Sequence, residues 1–173
     1  MTQPEFGRPE RLDQIGVEDR MVAIAAETGE RAALARRFGL IAVDLLEARF
    51  TLRREGDAVL ATGRVTAAVT QACAATGEPL VAVVDEQVAL RFVAEQDVPE
   101  ELELTEDALD TLPVENGLID LGEAAAETMA LALDPFARRP DAGAALAAAG
   151  VSDEDPAGPF ASLAGLKRRL TGE

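Results

Sequence analysis

The stretch Leu46-Glu47-Ala48-Arg49-Phe50-Thr51-Leu52-Arg53-Arg54-Glu55-Gly56-Asp57-Ala58-Val59-Leu60-Ala61-Thr62-Gly63-Arg64-Val65-Thr66-Ala67-Ala68-Val69 decides the fold. Leu46, Ala48, Phe50 and Leu52 alternate with Glu47, Arg49, Thr51 and Arg53, a period of two that marks a half-buried strand. Val59, Ala61, Gly63, Val65, Ala67 and Val69 repeat the pattern after Glu55-Gly56-Asp57-Ala58. Glycine at the first central position suits a two-residue type II′ hairpin turn. That turn pairs Leu52 with Ala61, Phe50 with Gly63, Ala48 with Val65 and Leu46 with Ala67. All of them then share one face, and a one-residue slip would break it.

The same register sets Arg49 opposite Arg64 on the outer face, among Thr51, Thr62 and Thr66. Like charges directly opposite are unfavourable unless something offsets them. Either Glu47 reaches across diagonally, or the pair belongs to an anion-binding strip that Arg53 and Arg91 extend. Leu80, Ala82, Val84, Val88, Leu90 and Phe92 give the next strand its buried face, and Glu86 interrupts it, which predicts an edge or a bulge.

Working outward, Met21–Ala26 reads as a strand. Thr28 is placed to cap a helix that runs to Phe38 and is closed by Gly39. Residues 95–117 read as a solvated acidic loop with a short extended piece at Leu102–Leu104. Asp120 and Glu123 have capping-box spacing and open a helix that Asp134-Pro135 ends. Ala142–Ala149 reads as another short helix, Asp153-Glu154-Asp155-Pro-Ala-Gly-Pro as a linker, and Phe160, Leu163, Leu166 and Leu170 as one apolar side of a short terminal helix. No internal repeat occurs. The expected class is α+β: an antiparallel β meander or partly closed sheet with flanking short helices and an acidic loop. Residues 1–150 are expected to form a single domain, and residues 151–173 a linker and short amphipathic tail.

Composition excludes most familiar chemistry. The chain has 173 residues, 16 Lys+Arg against 32 Asp+Glu, and no His, Trp or Tyr. Without His the commonest general base and metal ligand is missing. A single Cys excludes an internal disulfide and a four-thiolate zinc site. Asp85-Glu86 and Asp153-Glu154-Asp155 have neither calcium-loop spacing nor a basic partner for proton transfer, and read as solvated acids. The segment Gly117-Leu-Ile-Asp-Leu-Gly122 lacks the Lys-Ser/Thr of a phosphate loop. No enzyme, metal or cofactor is expected. The first residues lack the apolar core of a secretory signal and no run is long enough to span a membrane, so a cytoplasmic protein is expected.

Charge is distributed unevenly. Residues 1–91 hold 14 acids and 11 bases, residues 92–137 hold 13 acids and no base, and residues 138–173 hold five of each. A net charge of −16 opposes blanket phosphate neutralisation, although a segregated arginine side can still bind a polyanion. Arg138 and Arg139, just past the helix ended by Pro135, either add a second contact or complement the helix C-terminus.

Six segments recur in an order that marks a family: Pro4-Glu5-Phe6-Gly7-Arg8-Pro9, Arg37-Phe38-Gly39-Leu40, Gln71-Ala72-Cys73-Ala74-Ala75-Thr76-Gly77-Glu78-Pro79, Ile119-Asp120-Leu121-Gly122-Glu123, Leu131-Ala132-Leu133-Asp134-Pro135-Phe136 and Pro159-Phe160-Ala161. Together they resemble the YceD family, named for large ribosomal RNA subunit accumulation, in its alphaproteobacterial branch. The resemblance implies a non-enzymatic role in 23S ribosomal RNA accumulation and large-subunit assembly, with ribosomal RNA or a pre-ribosomal particle as partner. Some branches carry Cys-x-x-Cys; here the motif reads Cys73-Ala-Ala-Thr76, which argues against metal. The candidate RNA-binding residues are therefore Arg49, Arg53, Arg64, Arg91, Arg138 and Arg139. The alternative is an acidic module that binds or chaperones a basic ribosomal protein. Oligomeric state is not encoded in any recognisable pattern.

Overall fold

The computed structural model describes residues 4–94, 110–114 and 117–151. Strand β1 (Pro9–Arg11) leads through a 3-10 turn at Leu12–Gln14 to β2 (Arg20–Ala25) and helix α1 (Thr28–Phe38). Three long strands follow: β3 (Ala42–Glu55), β4 (Ala58–Ala72) and β5 (Pro79–Ala94). Then come β6 (Asp110–Val114), β7 (Leu118–Asp120), α2 (Leu121–Ala132) and α3 (Ala142–Ala148). The class is α+β. The sheet is open rather than partly closed, in the order β2-β3-β4-β5-β6, with β6 parallel to β5 and the other pairs antiparallel.

The hairpin register holds pair by pair. Leu52 faces Ala61, Phe50 faces Gly63, Ala48 faces Val65 and Leu46 faces Ala67, and Glu55 pairs with Ala58 across a two-residue turn in which Gly56 takes φ +60°. One irregularity lies between Val43 and Leu45. The bulge at Asp44 lets Val43 and Leu46, three positions apart, both point inward, where they are 6% and 1% exposed.

Small residues line the middle of the inner face: Ala48, Ala61, Gly63 and Ala67. Helix α2 answers with Ala124, Ala125 and Ala126, framed by Leu121 and Met129, while Gly122 turns to the N-terminal segment at Phe6. From α1, Leu34 and Ala35 complete the layer.

Several local expectations are corrected. The cap of α1 is Glu27, in a capping box with Glu30, and Thr28 is the first helical residue. Asp120 caps α2 as expected, accepting from Gly122 N–H and Glu123 N–H, but the Glu123 side chain turns away to Arg37. Part of the expected acidic loop, residues 110–114, is strand β6; residues 95–109, with the Leu102–Leu104 piece, lie outside the described residues, as do the linker and the terminal helix. Glu86 marks an edge and not a bulge, because the β4–β5 register is unbroken from Val59–Phe92 to Ala72–Pro79. No helix among the described residues is long and apolar enough to cross a membrane.

Candidate functional site

One face of the five-stranded sheet lies under the helices, and among the described residues nothing covers the other, the open face. On the open face, register aligns four rows across β3, β4 and β5: Glu47-Thr66-Asp85, Arg49-Arg64-Gln87, Thr51-Thr62-Ala89 and Arg53-Leu60-Arg91. Strand β2 adds Ala25, Ala23 and Met21 to the first three, and β6 adds Thr111 to the fourth. Arg49 thus faces Arg64 as the hairpin pattern required.

The offsetting carboxylate is Asp85, from β5, and not Glu47. Arg64 donates from Nε and Nη2 to the two oxygens of Asp85, the second bond at 2.6 Å. The Arg64 guanidinium holds the Asp85 carboxyl below the usual range, first through this hydrogen bond and then through its charge. Both side chains are about half exposed, so solvent screens the pair and it adds little stability. Its effect is on charge: Arg64 is neutralised at the surface, while the guanidinium of Arg49 has no ion-pair partner among the described residues.

A shallow depression of about 300 Å³ lies at this row, bounded by Ala23, Ala25, Glu47, Arg49, Arg64 and Thr66. It has the size and donors for a phosphate group, with one acid on its rim. Among the described residues no aromatic ring lines it, since Phe50 and Phe92 point into the core.

The other candidates are distributed as follows. Arg53 is paired with Glu55 at 2.5 Å and Asp19 at 3.8 Å. Arg91 is exposed beside Thr111 and forms no ion pair among the described residues. Arg138 and Arg139 are not brought to this face; they lie beside the turn that follows β4. There Arg139 is fixed by Glu78 and Asp141, both at 2.9 Å, and donates its backbone N–H to Cys73 Sγ at 3.4 Å.

Two clusters built from the family-like segments escaped sequence reasoning. In the first, Phe6 is buried, Asp120 accepts from the Arg8 N–H at 2.8 Å, and the Arg8 guanidinium forks onto Glu30 while stacking 4.5 Å from the Phe6 ring. Arg37 bridges Glu5 and Glu123 beside it. In the second, Cys73 is buried at the mouth of a turn in which Gly77 (φ +73°) donates to the Cys73 carbonyl and Ala74 donates to the Ala137 carbonyl. The Thr76 side chain, then the Arg139 N–H, pull the thiol down from 9.0 to about 7. Spacing in the chain gave no signal for either cluster, because each joins segments more than 60 residues apart. Among the described residues no three Cys, Asp or Glu side chains are grouped as metal ligands would be.

The family model described as large ribosomal RNA subunit accumulation protein YceD matches residues 61–167 of the chain, from β4 through α2 and beyond. No curated protein and no solved structure matches it.

Proposed function

This chain belongs to the YceD family, and from that premise we propose that it supports accumulation of large-subunit ribosomal RNA by touching that RNA, or a particle containing it, through the open sheet face. We further propose that it belongs to the alphaproteobacterial branch, which the order of its six segments supports, and that it works in the cytoplasm. The observation that carries the reading is the like-charge pair Arg49–Arg64 on an uncovered face, with Arg49 left without a carboxylate partner among the described residues. Arg91 extends the contact along β5, and Arg53 joins it once Glu55 and Asp19 are displaced.

With threonine hydroxyls and guanidinium groups but no aromatic ring, such a face reads phosphates and not bases. Binding should therefore be weakly sequence-dependent and strongly salt-dependent. Nothing in this role requires bond making or breaking, so the factor acts without enzymatic chemistry. The test is a mobility shift of a 23S ribosomal RNA fragment with the parent chain and with Arg49→Glu/Arg64→Glu, at several salt concentrations. Loss of binding in a double variant with an unchanged circular dichroism spectrum supports the reading. Equal binding by parent and variant overturns it.

A further inference from the structure

Strand β5 runs from Pro79 to Ala94, but β6 pairs only with Leu90–Ala94. Residues 79–89 therefore have β4 on one side and no strand of the described residues on the other. An edge of this kind presents unpaired N–H and C=O groups at regular spacing, and proteins usually blunt it with lysines, internal proline or a bulge. None of these protects β5, whose one device is Glu86, an inward-pointing carboxylate that disfavours an apolar or acidic strand and admits a cationic one. Its register with β4 has no bulge, the one proline is the first residue, and residues 79–90 contain no Lys or Arg.

The surroundings of the edge are apolar and acidic. Val81 and Val83 are 68% and 73% exposed on the open face. On the helix side a groove of about 390 Å³ runs between β5 and α2, lined by Glu86, Val88, Leu90, Thr128 and Leu131. Leu131 is 86% exposed, and Glu127 precedes it by one helical turn on the same stripe. Glu86 occupies an inward register position opposite Val65, yet it reaches solvent and forms no ion pair among the described residues.

We propose that the free edge of β5, with the Glu86–Leu131 groove beside it, takes an extended partner segment of alternating apolar and basic residues by strand addition. Main-chain hydrogen bonds to residues 80–88 give the attachment, and alternate side chains give the selectivity. The apolar set meets Val81 and Val83 on the open face, and the cationic set enters the groove, its stems along Val88 and Leu131 and its charges at Glu86 and Glu127. A second copy of this chain is the poorer occupant: edge-to-edge pairing would bring Asp85 and Glu86 of both copies together, on chains of net charge −16. The edge adjoins the Arg49–Arg64 row through Asp85 and Gln87, but the inference does not depend on RNA binding there.

The test uses the full chain and a fluorescein-labelled peptide of alternating Val and Lys. Fluorescence anisotropy gives affinity, and amide hydrogen exchange gives location. Binding should slow exchange at amides within residues 80–88. Glu86→Lys/Glu127→Lys should weaken binding by roughly tenfold, because two facing charges are reversed. Glu18→Lys/Asp57→Lys makes the same change in net charge at exposed positions away from the groove, and should leave binding within about twofold once salt screening is present. Equal losses in the two variants would mean unspecific charge attraction and overturn the proposal. Amides 80–88 already protected in the free chain, and released when residues 95–109 are replaced by a Gly/Ser linker, would overturn it in favour of the chain's own segment. Protection that appears without peptide as protein concentration rises would overturn it in favour of a second copy.

Discussion

Gly122 packs against Phe6 so closely that a methyl group on Gly122 would overlap the Phe6 carbonyl oxygen and crowd the Arg8 nitrogen. Backbone cannot yield there, because Leu121 N–H donates to the Arg8 carbonyl at 3.1 Å and Asp120 accepts from the Arg8 N–H. Gly122→Ala should therefore cost roughly 3 kcal/mol of stability, at the upper end of overpacking effects. Gly29→Ala, on α1 with open space around its Cα, should instead add roughly 0.5–1 kcal/mol. Denaturant midpoints of the two variants check both signs, and a neutral Gly122→Ala would refute the packing account.

Asp85 restrains the open face by neutralising Arg64. Asp85→Asn should free that guanidinium, tighten binding of single-stranded RNA and steepen its salt dependence by roughly one unit of slope. A salt titration of the variant against the parent decides it. Unchanged affinity would mean that the depression at Arg49 does not meet phosphate.

Glu30 is held below its ordinary value of 4.5, first by the Arg8 hydrogen bond. Its unfolded form titrates at the higher value, so the native state gains stability above that pH and loses it as pH falls through the lowered folded value. Acid unfolding of the parent should show this loss below about pH 4.5, and Arg8→Met should remove part of the slope. Parallel pH–stability curves for the two proteins would count against the Arg8–Glu30 pair as its source.

Cys73 should titrate near 7 in the folded chain, followed by ultraviolet thiolate absorbance. Because the folded value lies below 9.0, the native state should become more stable as pH rises from about 7 towards 9. Thr76→Val removes the hydroxyl hydrogen bond that lowers the thiol most and should move the titration upward. No movement would mean that the Arg139 N–H and the turn amides suffice.

The hairpin was legible because β3 and β4 carry a long period-two pattern closed by a two-residue turn, so Phe50–Gly63 and Arg49–Arg64 follow by counting. The partner of Arg64 was not, since the β4–β5 connection over residues 73–78 fixes no register from sequence and Asp85 could not be set diagonal to Arg64. Strands β1, β6 and β7 have three to five residues, too few to display a period. As a sequence signal Thr28 stood ahead of Glu27 because Thr is a preferred cap and Glu is not; the extended Glu27 backbone and its reciprocal bonds with Glu30 decide for Glu27. For the candidate site, residue types named the arginines, but which of them stay charged at the surface depends on carboxylates brought from other strands and turns.

The bond from Arg8 N–H to Asp120 spans 112 residues, and it orders events during translation. At roughly 5–20 residues per second, the N-terminal segment is made on the order of ten seconds before its partner exists. Throughout that interval Phe6 has no pocket, while β3 and β4, joined by two residues, can already pair. A nascent chain arrested before residue 118 should thus contain the hairpin but leave residues 4–10 open to protease, and α2 acts as the step that seats Phe6 and Arg8.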